Sequence, residues 1–231
     1  MKPLLNLESH FGFLQEAVFL ERVNRFVGLY ESSDGSTGRC HISDTGRLKE
    51  ILTFGRKILI SSNRKGLKTD SKLVAAKMDE GFILLNTSIH SKLAEIAIRR
   101  GVLDYIPGEL KREVKFGNSR IDFLLDNIHF LEVKGCNLRI GDTGFFPDAP
   151  TTRGKRHVGE LIDAVKQGYE ASVLFIVMRD VKYFSPNFST DPEFSKTLME
   201  ALRLGIGFKA VKIKVAQDFS LVFSGDVPLK V

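Results

Sequence analysis

Two adjoining stretches decide how this chain is read: Ser119-Arg120-Ile121-Asp122-Phe123-Leu124-Leu125 and His129-Phe130-Leu131-Glu132-Val133-Lys134. Both are of strand length and rich in apolar residues. The tight link Asp126-Asn127 between Ser119–Leu125 and the strand expected over Ile128 to Val133 predicts an antiparallel hairpin. A strand repeats every two residues, so Glu132 and Lys134 project from one face. Neighbouring strands run about 4.8 Å apart, which lets Asp122 meet them from the preceding strand. Apolar residues flank each of the three, so they are not simply the polar side of an amphipathic strand.

Two carboxylates and an ammonium on one spot have an evident chemical use. Carboxylate oxygens are hard ligands of the kind Mg²⁺ or Mn²⁺ prefers. A cation held there can polarise a phosphoryl oxygen and acidify a bound water. A lysine alongside can orient that water or neutralise charge building on a phosphate. Asp122 and Glu132 are therefore candidate metal ligands, and Asp122, Glu132 and Lys134 candidate catalytic residues for phosphodiester hydrolysis. The same three residues would also make a cross-strand salt bridge on a solvated sheet face, and the bare spacing does not separate the two.

Working outward, Ser88 to Arg100 reads as a helix, with Ile89, Leu93, Ile96 and Ala97 on one stripe and Gly101 as its stop. Glu95 falls off that stripe, so it either faces solvent or leans over a cleft. It joins the catalytic candidates in the second case. Lys111 to Phe116 adds a strand before the hairpin. Downstream, Pro147 to His157 is a loop entering a helix over Arg153 to Tyr169. Arg153, Lys155, Arg156 and His157 gather near its N-terminus, where free backbone N–H groups also favour anions. Basic residues there oppose the helix dipole, so a phosphate beside them would relieve a local cost. Ala171 to Met178 reads as a strand buried on both faces. A helix over Glu193 to Leu204 and strands over Phe208 to Val215 and Phe219 to Phe223 complete a three-layer α/β domain spanning 81–231.

The first eighty residues have a different rhythm. Short strands are expected within Phe19 to Tyr30, Arg39 to Ser43, Lys57 to Ser61 and Lys72 to Met78, with a turn at Asp34-Gly35. A short helix is expected over Arg47 to Leu52. Several short strands and one small helix suit an OB-like barrel over 1–80. Seven basic residues (Arg56, Lys57, Arg64, Lys65, Lys68, Lys72 and Lys77) face a single acid, Asp70, between Arg56 and Lys77. With Arg22, Arg25 and Arg47, they are the nucleic-acid-binding candidates of this part. A solvated face is the alternative for such a cluster, and bracing of the junction between the two domains the alternative for Arg22 and Arg47.

Composition sets the outer bounds. The 231 residues are 43% hydrophobic and 27% charged, with 34 Lys+Arg against 28 Asp+Glu, a net charge of +6. Disorder, collagen and coiled coil are excluded, and an anionic partner is favoured. The longest apolar run, Val173 to Met178, is far short of the roughly 20 residues of a membrane helix. The N-terminal residues do not read as a secretory signal, and Cys40 and Cys136 sit in no zinc-ligand pattern. A reduced cytoplasmic setting is expected.

One further set of stretches makes a resemblance specific. Arg22 to Val27, His41 to Leu48, Asn86-Thr87, Arg120 to Leu125, Leu131 to Lys134 and the long Phe146 to His157 resemble the sugar fermentation stimulation protein A (SfsA) family over nearly the whole chain. Ser71-Lys72 and Thr152 depart from its usual Tyr-Asp and Glu. The resemblance implies an OB-like domain followed by a restriction-endonuclease-like PD-(D/E)xK domain with a central mixed sheet. It also implies DNA binding and a link to sugar catabolism genes of the maltose type. On its pattern Asp122, Glu132 and Lys134 match the nuclease motif, and Glu95 the helix glutamate often beside it. The leading expectation is a Mg²⁺- or Mn²⁺-dependent nuclease acting on nucleic acid, double-stranded DNA in the first place. A non-catalytic DNA-binding regulator that keeps the scaffold is the alternative. The oligomeric state is left open, a homodimer included.

Overall fold

The computed structural model describes residues 3–64 and 66–230; Lys65 of the basic cluster lies outside them. The chain forms two compact units. The first takes in the residues up to Ile89 together with Met178–Asp180 and Ile213–Ser224, and the second His90–Val177, Val181–Lys212 and the residues from Gly225 on.

The first unit is a closed five-stranded barrel. Its strands are β2 (Leu14–Asn24), β3 (Val27–Ser32), β4 (Thr37–His41), β5 (Lys57–Ser62) and β6 (Ser71–Met78). They pair in the order β4-β3-β2-β5-β6, and a parallel β4–β6 contact at Cys40↔Ser71 closes the ring. β7 (Gly81–Leu84) is added to β6. Two short elements precede the barrel strands: β1 (Leu5–Asn6), which pairs with β16 (Ser220–Asp226) at Leu5↔Leu221, and α1 (Leu7–Phe11), capped by the Asn6 side chain. Alternating burial drives closure, because the inward residues Phe19, Tyr30, Ile58, Ile60 and Leu73 need a partner face. The stretch expected to be one strand from Phe19 to Tyr30 is two, β2 and β3, turned at Arg25-Phe26. The helix expected over Arg47 to Leu52 does not form. Leu48 sits at φ 50°, outside right-handed helix space, and its carbonyl instead closes a single turn onto the Ile51 and Leu52 N–H groups.

The second unit is built on a mixed sheet in the order β15-β13-β10-β9-β8. Its strands are β8 (Leu110–Phe116), β9 (Ser119–Leu125), β10 (His129–Cys136), β13 (Glu170–Val177) and β15 (Gly207–Val215). The hairpin read from the sequence is the antiparallel half; β10, β13 and β15 run parallel. A small second sheet joins β11 (Leu138–Ile140), β12 (Thr143–Phe146) and β14 (Tyr183–Pro186).

Helices cover both faces. α2 (His90–Ile98) lies on the side of Gly135, where a Cβ would fall 2.3 Å from the His90 ring. α3 (Thr152–Lys166) lies on the side of Glu132 and Lys134, opposite by the two-residue alternation of β10. Val158, Leu161 and Ile162 on α3 bury against Phe130, Val173 and Phe175, and α4 (Pro192–Arg203) adds Phe194 and Leu198 to the same core. Thr151 caps α3 by accepting from the Gly154 N–H at 3.0 Å. Asp191 caps α4 and also accepts from the Thr151 N–H at 2.7 Å, so one carboxylate sets the start of both helices. Among the described residues no helix is long and apolar enough to cross a membrane.

Candidate functional site

The register of the hairpin brings the three candidates of the motif together. Leu131 pairs with Phe123, so one step further sets Asp122 opposite Glu132. There the regular ladder gives way to a side-chain contact: Asp122 Oδ2 accepts from the Val133 N–H at 2.7 Å. Glu132 is 1% exposed. Its Oε1 accepts from both Lys134 Nζ and His157 Nδ1, the latter at 2.5 Å. Its Oε2 is buried and takes no hydrogen bond among the described residues.

The protonation logic follows from that wiring. Burial pushes the Asp122 carboxyl up to about 6, and the neighbouring Glu132 charge adds to the effect. Burial also works against the Glu132 carboxylate, but Lys134 and the His157 hydrogen bond hold it ionised, below its usual range. Arg153 Nε lies 3.3 Å from His157 Nε2. A guanidinium can only donate, so Nε2 accepts and Nδ1 carries the proton given to Glu132. The result is a directed chain, Arg153 to His157 to Glu132, from the start of α3 into the carboxylate pair.

This corrects one expectation. His157 was expected among the phosphate-contacting groups; it is 3% exposed and turned inward. Helical spacing is the reason. His157 is four residues from Leu161 and seven from Ala164, on the side of α3 that covers the sheet. The sequence signal for it was available in that spacing.

The other candidates are spread more widely. Glu95 on α2 pairs with Arg99 at 3.2 Å and Arg112 at 3.6 Å. Lys155 pairs with Glu193 at 3.0 Å, and Arg156 Nε donates to Ser119 Oγ at 3.1 Å. In the barrel, the Arg22 Nη groups donate to the carbonyls of Arg25, Asp44, Gly46 and Arg47, bracing the loop after β4 from within the unit. Arg25 lies over the Phe26 ring, which stacks on His41. That basic and aromatic trio was not picked out from the sequence, because Phe26 and His41 are fifteen residues apart and meet only through the β3–β4 pairing. From the basic cluster, Arg56 donates to the Ile51 and Lys77 carbonyls, while Lys72 and Lys77 lie over the rings of Phe11 and Phe82.

The donor set of the motif fits a hard cation. One buried carboxylate oxygen without a partner, beside a second carboxyl that resists ionisation, is the arrangement a positive ion would relieve. Among the described residues no group of three His, Cys, Asp or Glu side chains is placed to hold a metal, so any ion here would depend on two carboxylates, backbone oxygen and water.

Comparison with known proteins covers both units. Residues 88–219 match the family model "Sugar fermentation stimulation protein RE domain", and residues 20–85 the model "SfsA N-terminal OB domain". A sugar fermentation stimulation protein homolog of Sulfurisphaera tokodaii is 40% identical over 220 residues, 95% of this chain and 92% of that protein. One of Sulfolobus acidocaldarius is 43% identical over 217 residues, 94% of this chain and 90% of that protein. A solved structure, Pyrococcus furiosus SfsA in complex with Ca²⁺, matches with a TM-score of 0.90 at 30% identity and covers 100% of both chains.

Proposed function

The chain belongs to the sugar fermentation stimulation protein family, and from that premise we propose that it is a DNA-binding protein whose second unit carries a divalent-metal nuclease site. The observation that carries this reading is the unpartnered, buried Oε2 of Glu132 beside the reluctantly ionised Asp122. A pure binder has no use for such negative charge where a phosphate must approach. The complex that Pyrococcus furiosus SfsA forms with Ca²⁺, a hard divalent cation, supports it.

Asp122 and Glu132 would hold Mg²⁺ or Mn²⁺, with the Val133 carbonyl as a further oxygen. The chemistry such an ion supplies when bound is polarisation of a phosphoryl oxygen and a lowered pKa for a coordinated water. Lys134, 13% exposed at its side chain and bonded to Glu132, is positioned to orient the attacking water or neutralise the phosphate. His157 fixes the Glu132 carboxylate through Oε1 and so leaves Oε2 for the cation. Arg153 and Arg156 at the start of α3 would supply phosphate contacts in the second unit; on the barrel, Arg25 is suited to a phosphate and Phe26 to stacking on a base.

A second reading, a non-catalytic DNA-binding regulator of sugar catabolism genes, draws support from the names its relatives carry. One experiment separates them. The purified protein is incubated with supercoiled plasmid, single-stranded DNA and RNA in Mg²⁺ or Mn²⁺. Cleavage that EDTA stops and Glu132→Gln removes supports the nuclease. Salt-dependent binding without cleavage of any substrate supports the regulator.

A further inference from the structure

A groove of about 800 Å³ runs along the flank of α3 turned away from Glu132, between the β8–β9 turn and α4. Arg156, Gly159, Asp163 and Lys166 follow one another at three- and four-residue spacing, so they form one stripe of the helix. His157, which bonds Glu132, is on another side of it.

Two features of this groove have no explanation inside the chain. Glu160 lines it and is 9% exposed. Its Oε1 accepts from the Asn118 N–H at 2.8 Å, while its Oε2 is buried without a hydrogen-bond partner among the described residues. Gly159 sits in mid-helix, where glycine is costly relative to alanine. A Cβ built on it meets nothing within 4 Å, so no neighbour in this chain requires its absence. A bare helix backbone facing open space is what a closely approaching ligand needs. Phe116, held by Phe130 and Tyr169 at 4.9 and 6.0 Å, puts an aromatic ring in the lining.

Charge at the two ends completes the description. Arg156 spends its Nε on Ser119 Oγ, leaving its Nη groups for an anion, while Lys166, about 15 Å further along the helix, is paired with Asp163 at 3.5 Å. An aromatic ring for stacking, a carboxylate able to accept from an exocyclic amine and a flanking guanidinium for phosphate are the parts of a nucleobase site.

We propose that this groove binds an amine-bearing nucleobase together with its phosphate: cytosine, adenine or guanine in preference to thymine or uracil. It rests on the reading of the chain as a nucleic-acid-binding protein and adds base discrimination to it. Glu160 Oε2 accepts from the amine, Phe116 stacks on the ring, Gly159 admits the sugar-phosphate against the helix, and Arg156 takes the charge.

The test uses the full chain without divalent metal and measures binding of oligo(dC), oligo(dT), CMP and TMP by fluorescence anisotropy competition. Wild type should bind oligo(dC) about five- to tenfold more tightly than oligo(dT), the low end of what one matched base-edge contact supplies. Glu160→Gln keeps an oxygen for Asn118 but offers an amide N–H₂ to the base, so the preference should vanish or invert. Gly159→Ala should raise the melting temperature, since alanine favours helix, and yet weaken oligo(dC) binding several-fold. A merely structural glycine would not give that opposition. CMP outcompeting TMP assigns the site to a free nucleotide as well; discrimination confined to the oligonucleotides assigns it to a strand. Equal, salt-sensitive binding of both oligonucleotides that neither variant alters would overturn the groove and leave the nucleic-acid reading standing. No binding of any oligonucleotide at low salt would overturn both.

Discussion

Strand β10 carries one polar cluster at its start and another at its middle, and the two are built to opposite rules. At its start His129 Nε2 lies 2.6 Å from Ser172 Oγ, and Nδ1 lies 2.9 Å from the Tyr105 hydroxyl, with Glu170 at 3.6 Å. Burial lowers the His129 pKa, so the ring stays neutral and each nitrogen has a partner. Three residues on, Glu132 is ionised in a buried setting, Asp122 is pushed up to about 6, and one carboxylate oxygen is left over. Same strand and same sheet, yet only one cluster satisfies itself. A cluster that ties the Tyr105 loop to the sheet has no reason to carry unmet charge. One that must receive a cation does, because acceptor capacity already spent inside the protein is closed to a ligand.

The sharpest way to break that contrast is catalytic. Where cleavage occurs, Glu132→Gln and Lys134→Ala should each lower it by about 10³-fold or more, while His129→Asn changes it less than about twofold. Plasmid nicking under single-turnover conditions measures all three. An equal loss in His129→Asn would erase the distinction between the two clusters.

Next in size is the thermodynamic cost of the open cluster. A carboxyl whose folded pKa, about 6, exceeds its unfolded value of 3.8 opposes folding once it ionises. The opposition is absent below pH 3.8, grows as pH rises to 6 and is full above it. Asp122→Asn keeps an oxygen for the Val133 N–H, so at pH 7 it should stabilise the metal-free protein by up to about 3 kcal/mol. The gain should disappear by about pH 4. Saturating Mn²⁺ should narrow the gap at pH 7 by stabilising wild type alone. Thermal unfolding across pH, with and without Mn²⁺, reads both effects, and an Asp122→Asn variant less stable than wild type at pH 7 would refute the assignment.

The closed cluster should behave in reverse. His129→Phe forfeits two hydrogen bonds and leaves Ser172 unpaired, costing about 1–3 kcal/mol at neutral pH. A histidine whose folded pKa is lowered supports folding above its unfolded pKa of about 6.5 and loses that support as pH falls. The stability profile of His129→Phe should therefore be flatter than wild type below pH 6.5, and parallel profiles would count against the neutral ring.

The smallest effect distinguishes surface charge from structural charge. Arg156→Ala should lower affinity alike on unrelated duplexes and flatten log affinity against log salt by about one unit. Arg22→Ala should leave that slope unchanged and lower the stability of the barrel, because its guanidinium is occupied by four backbone carbonyls. A one-unit change in the Arg22 variant would return that residue to the nucleic-acid interface.

Much of the fold is legible in the amino-acid sequence. Strands β4, β5 and β6, the β8–β9–β10 meander, the two long helices and the doubly buried β13 follow from local periodicity and turn residues, which act over a few neighbours; the turn at Arg25-Phe26 that separates β2 from β3 does not. The losses have local causes too. Leu48 at positive φ defeated a helix that Arg47 to Leu52 would otherwise favour, and β11, β12 and β14 are too short to impose a period. Basic residues were the least legible, since a lysine or arginine reads alike whether it meets solvent, a phosphate or a carbonyl.

What the amino-acid order determined alone is that Glu132 and Lys134 share one face of their strand. Two-residue alternation does that, whereas Asp122 meets Glu132 only because the link closes over three residues, Asp126 to Ile128; a two-residue link would shift the register by one and turn Asp122 to the other face. What only the tertiary structure decided is how each is protonated and what remains unsatisfied around it. His157 is twenty-five residues from Glu132 and reaches it because α3 buries its apolar stripe on the sheet. That long-range packing removes water, and without water a carboxylate oxygen with no partner becomes a demand for a ligand rather than an ordinary surface group.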